Sequence, residues 1–220
     1  MIQRLLQLLF PSKCVLCRSL LTKEQTDLCP HCRTHAPEFP GAKMRLSFIA
    51  QWTGIWYYKE NVRASLLRYK FGGRRSYASA YGKLLAMKLL RIGWDDMDLI
   101  TWVPISNRRR FRRGFDQSQL IARVVAQELG LPLVAAAKKI RHTKPQSTMG
   151  DAAHRRANIL GAYQVTDPAV LKDKRILLID DIITTGATAS ECSRVLLTAG
   201  AKEIYCAAVA TARHNDKKSR

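Results

Sequence analysis

The stretch Ile176-Leu177-Leu178-Ile179-Asp180-Asp181-Ile182-Ile183-Thr184-Thr185-Gly186-Ala187-Thr188 predicts the fold of the chain. Its first four residues are aliphatic, which is typical of a parallel strand covered on both faces. Asp180 and Asp181 follow, and we expect them where the strand leaves the sheet. The turn at 184–188 then opens a helix, where backbone amides, hydroxyls and the helix dipole suit a phosphate. Because carboxylates bind ribose hydroxyls directly or through Mg²⁺, the stretch predicts a phosphorylated-ribose site. The alternative is an ordinary strand–turn–helix unit.

The same stretch resembles the phosphoribosyl-pyrophosphate (PRPP) signature of the type I phosphoribosyltransferases at every constrained position. The resemblance implies that Asp180 and Asp181 are catalytic residues, which hold the ribose together with Mg²⁺. It also implies that the 5-phosphate is bound by the turn residues Thr184, Thr185, Gly186, Ala187 and Thr188. In such enzymes the rate comes from positioning and electrostatics, so no separate nucleophile is needed.

Four of the six cysteines form two Cys-x-x-Cys pairs, Cys14 with Cys17 and Cys29 with Cys32. Four thiolates at this spacing are typical of a tetrahedral structural Zn²⁺ site. Disulfides are the alternative, but such bridges do not persist in a reducing cytosol, and residues 1–10 lack the features of a signal peptide. We therefore predict zinc and a cytoplasmic protein, with His31 and His35 as alternative ligands.

Segments that suit strands and helices alternate along the rest of the chain, which predicts a parallel sheet with helices on both faces. The fold class is therefore α/β, and the resemblance of residues 176–188 implies a type I phosphoribosyltransferase fold, with a small N-terminal zinc ribbon or knuckle formed by the cysteine pairs. We expect a zinc-binding segment with an N-terminal helix at 1–40, a phosphoribosyltransferase-like domain at 41–215 and a polar tail at 216–220. Residues 36–41 are rich in helix- and strand-breaking residues and mark the first boundary.

The 220-residue chain contains 37 basic and 17 acidic residues, which gives a net charge of +20. This surplus favours an anionic partner, namely nucleic acid, a polyphosphate ligand or an acidic protein. The alternative is a basic surface that only keeps the protein soluble. No apolar run is long enough to span a membrane.

Five arginines fall within residues 108–113, directly after a predicted strand at 98–103. Ligands of open α/β sheets collect at the carboxyl ends of strands, so this arginine-rich loop is expected to face the same crevice as the stretch at 176–188. Guanidinium groups offer the paired donors that pyrophosphate or a nucleic-acid backbone requires. We assign Arg112 and Arg113 to the pyrophosphate and Asp116 to a helix N-cap. A solvated basic loop is the alternative.

The polar, weakly periodic residues 143–158 suit a mobile lid, although an ordinary surface loop is the alternative. A lid would exclude water from the anomeric carbon of PRPP and present cations to the departing pyrophosphate. Arg155 and Arg156 are the candidate donors, and Gln146 and Asn158 are candidate positioning residues.

Taken together, these features resemble the ComF family of competence-associated proteins, including its GntX-like members. The resemblance rests on both cysteine pairs, the motif at 112–117, the stretch at 143–158 and the stretch at 176–188. Where the family usually has Asn in its Arg-Gly-Phe-Asn-Gln motif, this chain has Asp116, which keeps the capping role. The resemblance implies a role in DNA uptake during natural transformation, or in DNA utilisation. The partners it implies are PRPP or a nucleotide, single-stranded DNA, and competence proteins such as a DNA helicase.

Two classes of function stay open at this point. In the first, the protein is a PRPP-dependent phosphoribosyltransferase, in which a base, an amine or another nucleophile replaces pyrophosphate at C1 of the ribose. In the second, it is a non-catalytic adaptor that binds single-stranded DNA and uses the pocket as a nucleotide sensor. Trp52, Trp56 and Tyr57 are candidate stacking platforms for bases, although we expect them in the core.

Overall fold

The computed structural model describes residues 11–42, 44–141, 143 and 158–212. Its helices α1 to α6 lie at Pro30–His35, Glu60–Phe71, Tyr77–Arg91, Asn107–Arg113, Gln117–Leu129 and Ala187–Thr198. Its strands β1 to β6 lie at Gln51–Tyr57, Leu99–Trp102, Ala137–Lys139, Tyr163–Val165, Arg175–Ile183 and Glu203–Thr211. Strands and helices therefore alternate as the hydrophobic pattern predicts.

The central sheet has the strand order β1-β6-β5-β2, and every pair in it is parallel. Strand β5, which contains residues 176–183 of the stretch quoted first, lies in the interior of this sheet between β6 and β2. Parallel neighbours bring all carboxyl ends of the strands to one edge. The residues that follow β2 and β5 are therefore placed near each other, as the sequence predicts.

Strand β5 is covered on both faces, which explains its run of aliphatic residues. Leu177 and Ile179 point into one hydrophobic cluster, which they share with α2, α3 and α5 and which we call the first core. Ile176 and Leu178 point into the other, which they share with α6 and which we call the second core. This two-sided burial confirms the α/β fold class predicted from the sequence.

The N-terminal cysteine segment packs directly on the first core. Cys14, Val15 and Leu16 are buried and belong to the same cluster as Leu66 and Tyr69 of α2. Since the segment buries apolar side chains in that core, it is an integral part of the described structure.

Strands β3 and β4 form a separate antiparallel pair beside the main sheet. In the sequence they flank the polar stretch that predicts a lid. Gln146, Arg155 and Arg156 lie outside the described residues, as do the N-terminal helix predicted within residues 1–10 and the polar tail. No helix among the described residues is both long and apolar enough to cross a membrane.

Candidate functional site

The carboxylates of Asp180 and Asp181 lie within strand β5 and not beyond its end. The strand keeps its pairing with β6 as far as Ile183, with Asp180 opposite Ala208 and Ile183 opposite Thr211. The expectation that the acidic pair follows the strand is therefore wrong. The reason is that β6 runs on to Thr211 and supplies backbone partners for the polar residues as well as for the aliphatic ones.

Each carboxylate of the pair has a specific partner on a neighbouring helix. Asp181 Oδ1 lies 2.8 Å from Nζ of Lys70, at the end of α2, and both side chains are largely buried. Asp180 Oδ1 accepts hydrogen bonds from Ser118 Oγ at 3.0 Å and from the Asp181 amide at 2.8 Å. These contacts fix both carboxylates at the carboxyl end of β5.

Burial, and after it the neighbouring carboxylate of Asp181, raises the pKa of Asp180 to about 7, whereas Lys70 opposes the shift. A carboxyl group in this range changes its charge near neutral pH. Bringing a cation to the pair would favour the ionised form of Asp180. The acidic pair therefore has the donor chemistry that Mg²⁺ prefers, and hydroxyl groups of a sugar fit the same oxygens.

The turn that follows the pair begins helix α6 with a left-handed glycine. Gly186 has φ +74° and occupies the N-cap position, and the amide of Ala187 lies 3.5 Å from Thr185 Oγ1. The side chain of Leu46, from the segment before β1, packs against Gly186. Thr184 is exposed, and Thr185 and Thr188 are half-buried. All five predicted turn residues thus lie at the start of a helix next to the acidic pair, which is an arrangement suited to phosphate.

The five arginines do not form a loop, because residues Asn107–Arg113 fold as helix α4. The helix separates them into two sets. Arg109 and Arg113, four residues apart, are half-buried, whereas Arg108, Arg110 and Arg112 are exposed. Of the two residues predicted to bind pyrophosphate, the structure therefore places Arg113 on the inner face and Arg112 on the exposed side.

The inner arginines lie close to the acidic pair. Arg113 Nη1 donates to Gln117 Oε1 at 2.7 Å, and its guanidinium lies 4.9 Å from the ring centroid of Phe71. Arg109 Nη2 donates to the carbonyl of Thr143 at 2.8 Å. Burial lowers the pKa of both arginines, and the charge of Asp181 partly offsets this. Arg113 Nε is buried and has no hydrogen-bond partner among the described residues, which is uncommon for a buried donor.

Sequence reasoning missed three polar residues at this site, which are Lys70, Ser118 and Lys139. Lys139 lies on β3 with its Nζ 3.4 Å from Tyr163 Oη. Burial lowers the pKa of Lys139 to about 8, and the charge of Arg109 acts in the same direction. A lysine on a short strand carries no sequence signal for such a role. Arg109 and Arg113, in contrast, are four residues apart, a spacing that places two side chains on the same face of a helix. Predicting a helix for this stretch would have paired them.

Asp116 caps helix α5 as predicted. Its Oδ1 accepts from the amide of Gln119 at 3.2 Å, and its Oδ2 accepts from the amide of Ile105 at 3.0 Å. Both oxygens are therefore occupied by backbone donors, which ties the end of β2 to the start of α5 and orients the intervening helix α4.

The four predicted metal ligands come together as one cluster. The Sγ atoms of Cys14, Cys17, Cys29 and Cys32 all lie within 4.8 Å of one another. This set fits a tetrahedral zinc ion, whose bonds to sulfur are about 2.3 Å long. The Sγ atoms of Cys17 and Cys29 are 3.6 Å apart, which is far beyond the length of about 2.05 Å for a disulfide. Within the described part of the chain, this cluster consists of the four cysteines. His31 and His35 do not belong to it; both are exposed, and their rings stack on each other.

Two protein-family models match the chain. The phosphoribosyl transferase domain matches residues 116–220, and the double zinc ribbon domain matches residues 5–43. The first match includes the acidic pair and the turn at 184–188, and the second includes all four clustered cysteines.

Curated relatives match the chain over most of its length. Competence protein F of Haemophilus influenzae is 28% identical, with 89% of this chain and 95% of the relative covered. DNA utilization protein YhgH of Escherichia coli strain K12 is 29% identical, with 88% of each chain covered. Competence protein ComFC of Bacillus subtilis is 27% identical, with 90% of this chain and 83% of the relative covered. The similarity thus extends over both the cysteine segment and the α/β domain.

Proposed function

Because the chain belongs to the ComF family, which joins a zinc ribbon to a phosphoribosyltransferase domain, we propose that it acts in DNA uptake or DNA utilisation as a PRPP-binding protein. One observation carries the ligand part of this proposal. The carboxylates of Asp180 and Asp181 lie near the end of β5, two residues before a helix-opening threonine–glycine turn, and the buried, unpartnered Nε of Arg113 lies nearby. A phosphorylated ribose with a pyrophosphate group requires carboxylate acceptors for its hydroxyls, backbone donors for its 5-phosphate and a guanidinium for its pyrophosphate.

Each residue of the site has a role in this proposal. Asp180 and Asp181 hold the ribose hydroxyls and Mg²⁺, and residues 184–188 bind the 5-phosphate. Arg109 and Arg113 bind the pyrophosphate from the inner face of α4, with Arg112, Arg155 and Arg156 as further candidate donors. Bound Mg²⁺ would neutralise charge on the pyrophosphate oxygens.

The reaction that fits the site is phosphoribosyl transfer. The bond between C1 and the pyrophosphate oxygen breaks, and its electron pair leaves with the pyrophosphate. A nucleophilic acceptor forms the new bond to C1 and releases its proton to solvent. The cations of α4 stabilise the negative charge that develops on the leaving group. The carboxylates stabilise the positive charge that develops on the ribose ring.

Binding and transfer are tested separately. Calorimetric titration with PRPP and Mg²⁺ should show binding to the wild-type protein, with a large loss of affinity in D180N/D181N. The variant S190A provides a control on the same strand–turn–helix unit. Pyrophosphate release with a panel of bases and amines then tests transfer. The absence of PRPP binding to a folded, zinc-loaded protein would disprove the ligand assignment, and binding without release would leave a sensor.

A second candidate function, contact with single-stranded DNA, is favoured by the outer face of α4. Phe111 is 92% exposed; Arg108 lies about one helical turn before it, and Arg112 directly follows it. An exposed aromatic ring between guanidinium groups suits a stacked base and its phosphates. Trp52 and Trp56 are buried and do not offer such a platform. The chain's charge of +20 supports the same partner.

Fluorescence anisotropy with a labelled oligonucleotide at several salt concentrations tests this second function. We expect affinity to fall steeply with salt, F111A to weaken binding at all salt concentrations, and R108Q/R112Q to reduce the salt slope by about 1.4. The exposed pair Lys138 and Arg123 provides a control of equal charge. No binding at low salt would exclude this function.

A cytoplasmic location, with competence proteins such as a DNA helicase as partners, completes the proposal. A reducing cytosol suits the four reduced thiols.

A further inference from the structure

Helix α2 contacts the cysteine segment with one part of its sequence. The hydroxyl of Ser65 donates to the carbonyl of Val15, and Arg68 Nη2 donates to the carbonyl of Leu16. Val15 and Leu16 are the two residues between Cys14 and Cys17, so both carbonyls belong to the backbone of the first cysteine pair. Cys14 and Leu16 are fully buried and share the first core with Leu66 and Tyr69 of the same helix.

The next residues of the same helix contact the acidic site. Lys70 Nζ lies 2.8 Å from Asp181 Oδ1, and Tyr69 Oη donates to the carbonyl of Gln117 at 2.9 Å. Gln117 in turn accepts a hydrogen bond from Arg113. The contacts to the cysteine segment and the contacts to the site therefore start from positions 65–70 of one helix.

From this arrangement we infer that the zinc ribbon is a positioning element for the ribose-phosphate site, acting through Arg68 and Lys70 of helix α2. Zinc ligation fixes the backbone between Cys14 and Cys17, and this backbone supplies the acceptors for Arg68. The Nε of Arg68 is buried and has no hydrogen-bond partner among the described residues, so its carbonyl contacts determine where the side chain sits. Lys70 follows two residues later, and a shift or rotation of the helix end would move its ammonium group relative to Asp181.

The coupling works in both directions, because an equilibrium linkage between two sites is reciprocal. Disturbing Lys70 should weaken zinc retention, although Lys70 makes none of the hydrogen bonds to the cysteine segment. Loss of zinc should weaken binding at the acidic pair. The second statement rests on the proposed PRPP function, whereas the first can be measured without any ligand.

The first experiment compares zinc retention in the full-length, zinc-loaded protein, with a chromogenic chelator as competitor. The variants are R68M, K70M, the double variant R68M/K70M, and R63M as a control, because Arg63 is an exposed residue of the same helix. We expect K70M to lose zinc about fivefold more readily than wild type, R63M to match wild type, and the double variant to fall short of the product of the single effects. Equal zinc retention in K70M and R63M, or purely multiplicative effects, would overturn the inference.

The second experiment adds the ligand. PRPP with Mg²⁺ should slow zinc loss from wild type and from R63M but not from R68M, while R68K should recover part of the effect because it keeps a donor. If PRPP binds wild type and leaves its zinc loss unchanged, the inference is wrong and the proposed function stands. If PRPP fails to bind, the proposed function is wrong, and the zinc comparison still decides the inference. Circular dichroism of each variant excludes global unfolding as the cause.

Discussion

The side chain of Leu46 packs against Gly186, the left-handed glycine that opens helix α6. Leu46 belongs to the segment before β1 and is buried in the second core. The turn at 184–188 is therefore held from outside its own strand–turn–helix unit. The shape of the turn depends on two conditions, a positive φ at residue 186 and the free space that a glycine leaves for Leu46.

Replacing Gly186 with alanine tests both conditions. At φ +74° an L-residue costs about 1–2 kcal/mol, and the added Cβ would collide with the Leu46 side chain. We expect G186A to lower the free energy of unfolding by more than this backbone cost alone and to weaken ribose 5-phosphate binding by at least tenfold. Chemical denaturation and calorimetry measure the two effects.

The control for this change is G73A. Gly73 has φ +65° and nothing within 4 Å of an added Cβ, so it carries the backbone cost without a collision. Equal stability losses in G73A and G186A would show that the contact with Leu46 does not constrain the turn.

Asp180 should give ligand binding an acidic limit. Its pKa of about 7 lies well above the usual carboxyl value because of burial and the adjacent Asp181. Below pH 7 Asp180 is protonated, and a cation can bind only after the proton leaves. The affinity for PRPP with Mg²⁺ should therefore fall by up to about tenfold for each pH unit below 7. D180N should bind weakly and lose this dependence, and an unchanged pH profile in D180N would contradict the assignment.

The same shift affects stability with the opposite sign. A carboxyl group with a raised pKa in the folded state favours folding below its unfolded pKa and loses that contribution as pH rises through about 7. The free energy of unfolding of D180N minus that of wild type should therefore be larger at pH 8 than at pH 4. Thermal melts at the two pH values measure this difference, and S118A serves as a control that removes one hydrogen bond but no titrating group.

The fold was predictable because the information for it is local. Leu177 and Ile179 serve one core and Ile176 and Leu178 the other, so a strand buried on both faces is visible as a continuous aliphatic run. The cysteine cluster was also predictable, since its ligands lie close together in the sequence. The acidic pair was identified, but its position relative to the strand end was not, because pairing with β6 continues beyond the aliphatic residues.

The remaining parts of the site depend on contacts that no local pattern encodes. Lys70 and Asp181 are separated by 111 positions, and the helical pattern around Lys70 does not indicate which of several cations reaches a carboxylate. Helix α4 was predicted as a loop because it buries no side chain fully and has no apolar periodicity. The helix forms nevertheless because arginine has a good helix propensity. The capping of α5 by Asp116 then fixes the direction of the chain after α4.

Zinc removal should destabilise the α/β domain as well as the ribbon. Cys14, Val15 and Leu16 lie in the first core, and exposure of a buried aliphatic side chain costs about 1.5–3 kcal/mol. We expect a strong chelator to lower the melting temperature of the wild-type protein, and C32S to melt at that lower temperature with or without chelator. C206S, altered in the second core, should remain sensitive to the chelator. A melting temperature unchanged after stoichiometric zinc removal would contradict this coupling.

Lys139 should give anion binding an alkaline limit. Its Nζ lies near Tyr163 Oη, and burial together with the charge of Arg109 lowers its pKa to about 8. Above pH 8 the free protein loses this positive charge, so pyrophosphate affinity should fall as pH rises from 7 to 9. K139R keeps the charge and should flatten the profile over this range, whereas K139M should bind about as weakly at pH 7 as wild type does at pH 9. K138M, which alters the exposed neighbour on β3, should retain the wild-type profile. A wild-type profile in K139R would show that another group titrates, and unchanged affinity in K139M would show that Lys139 does not meet the anion.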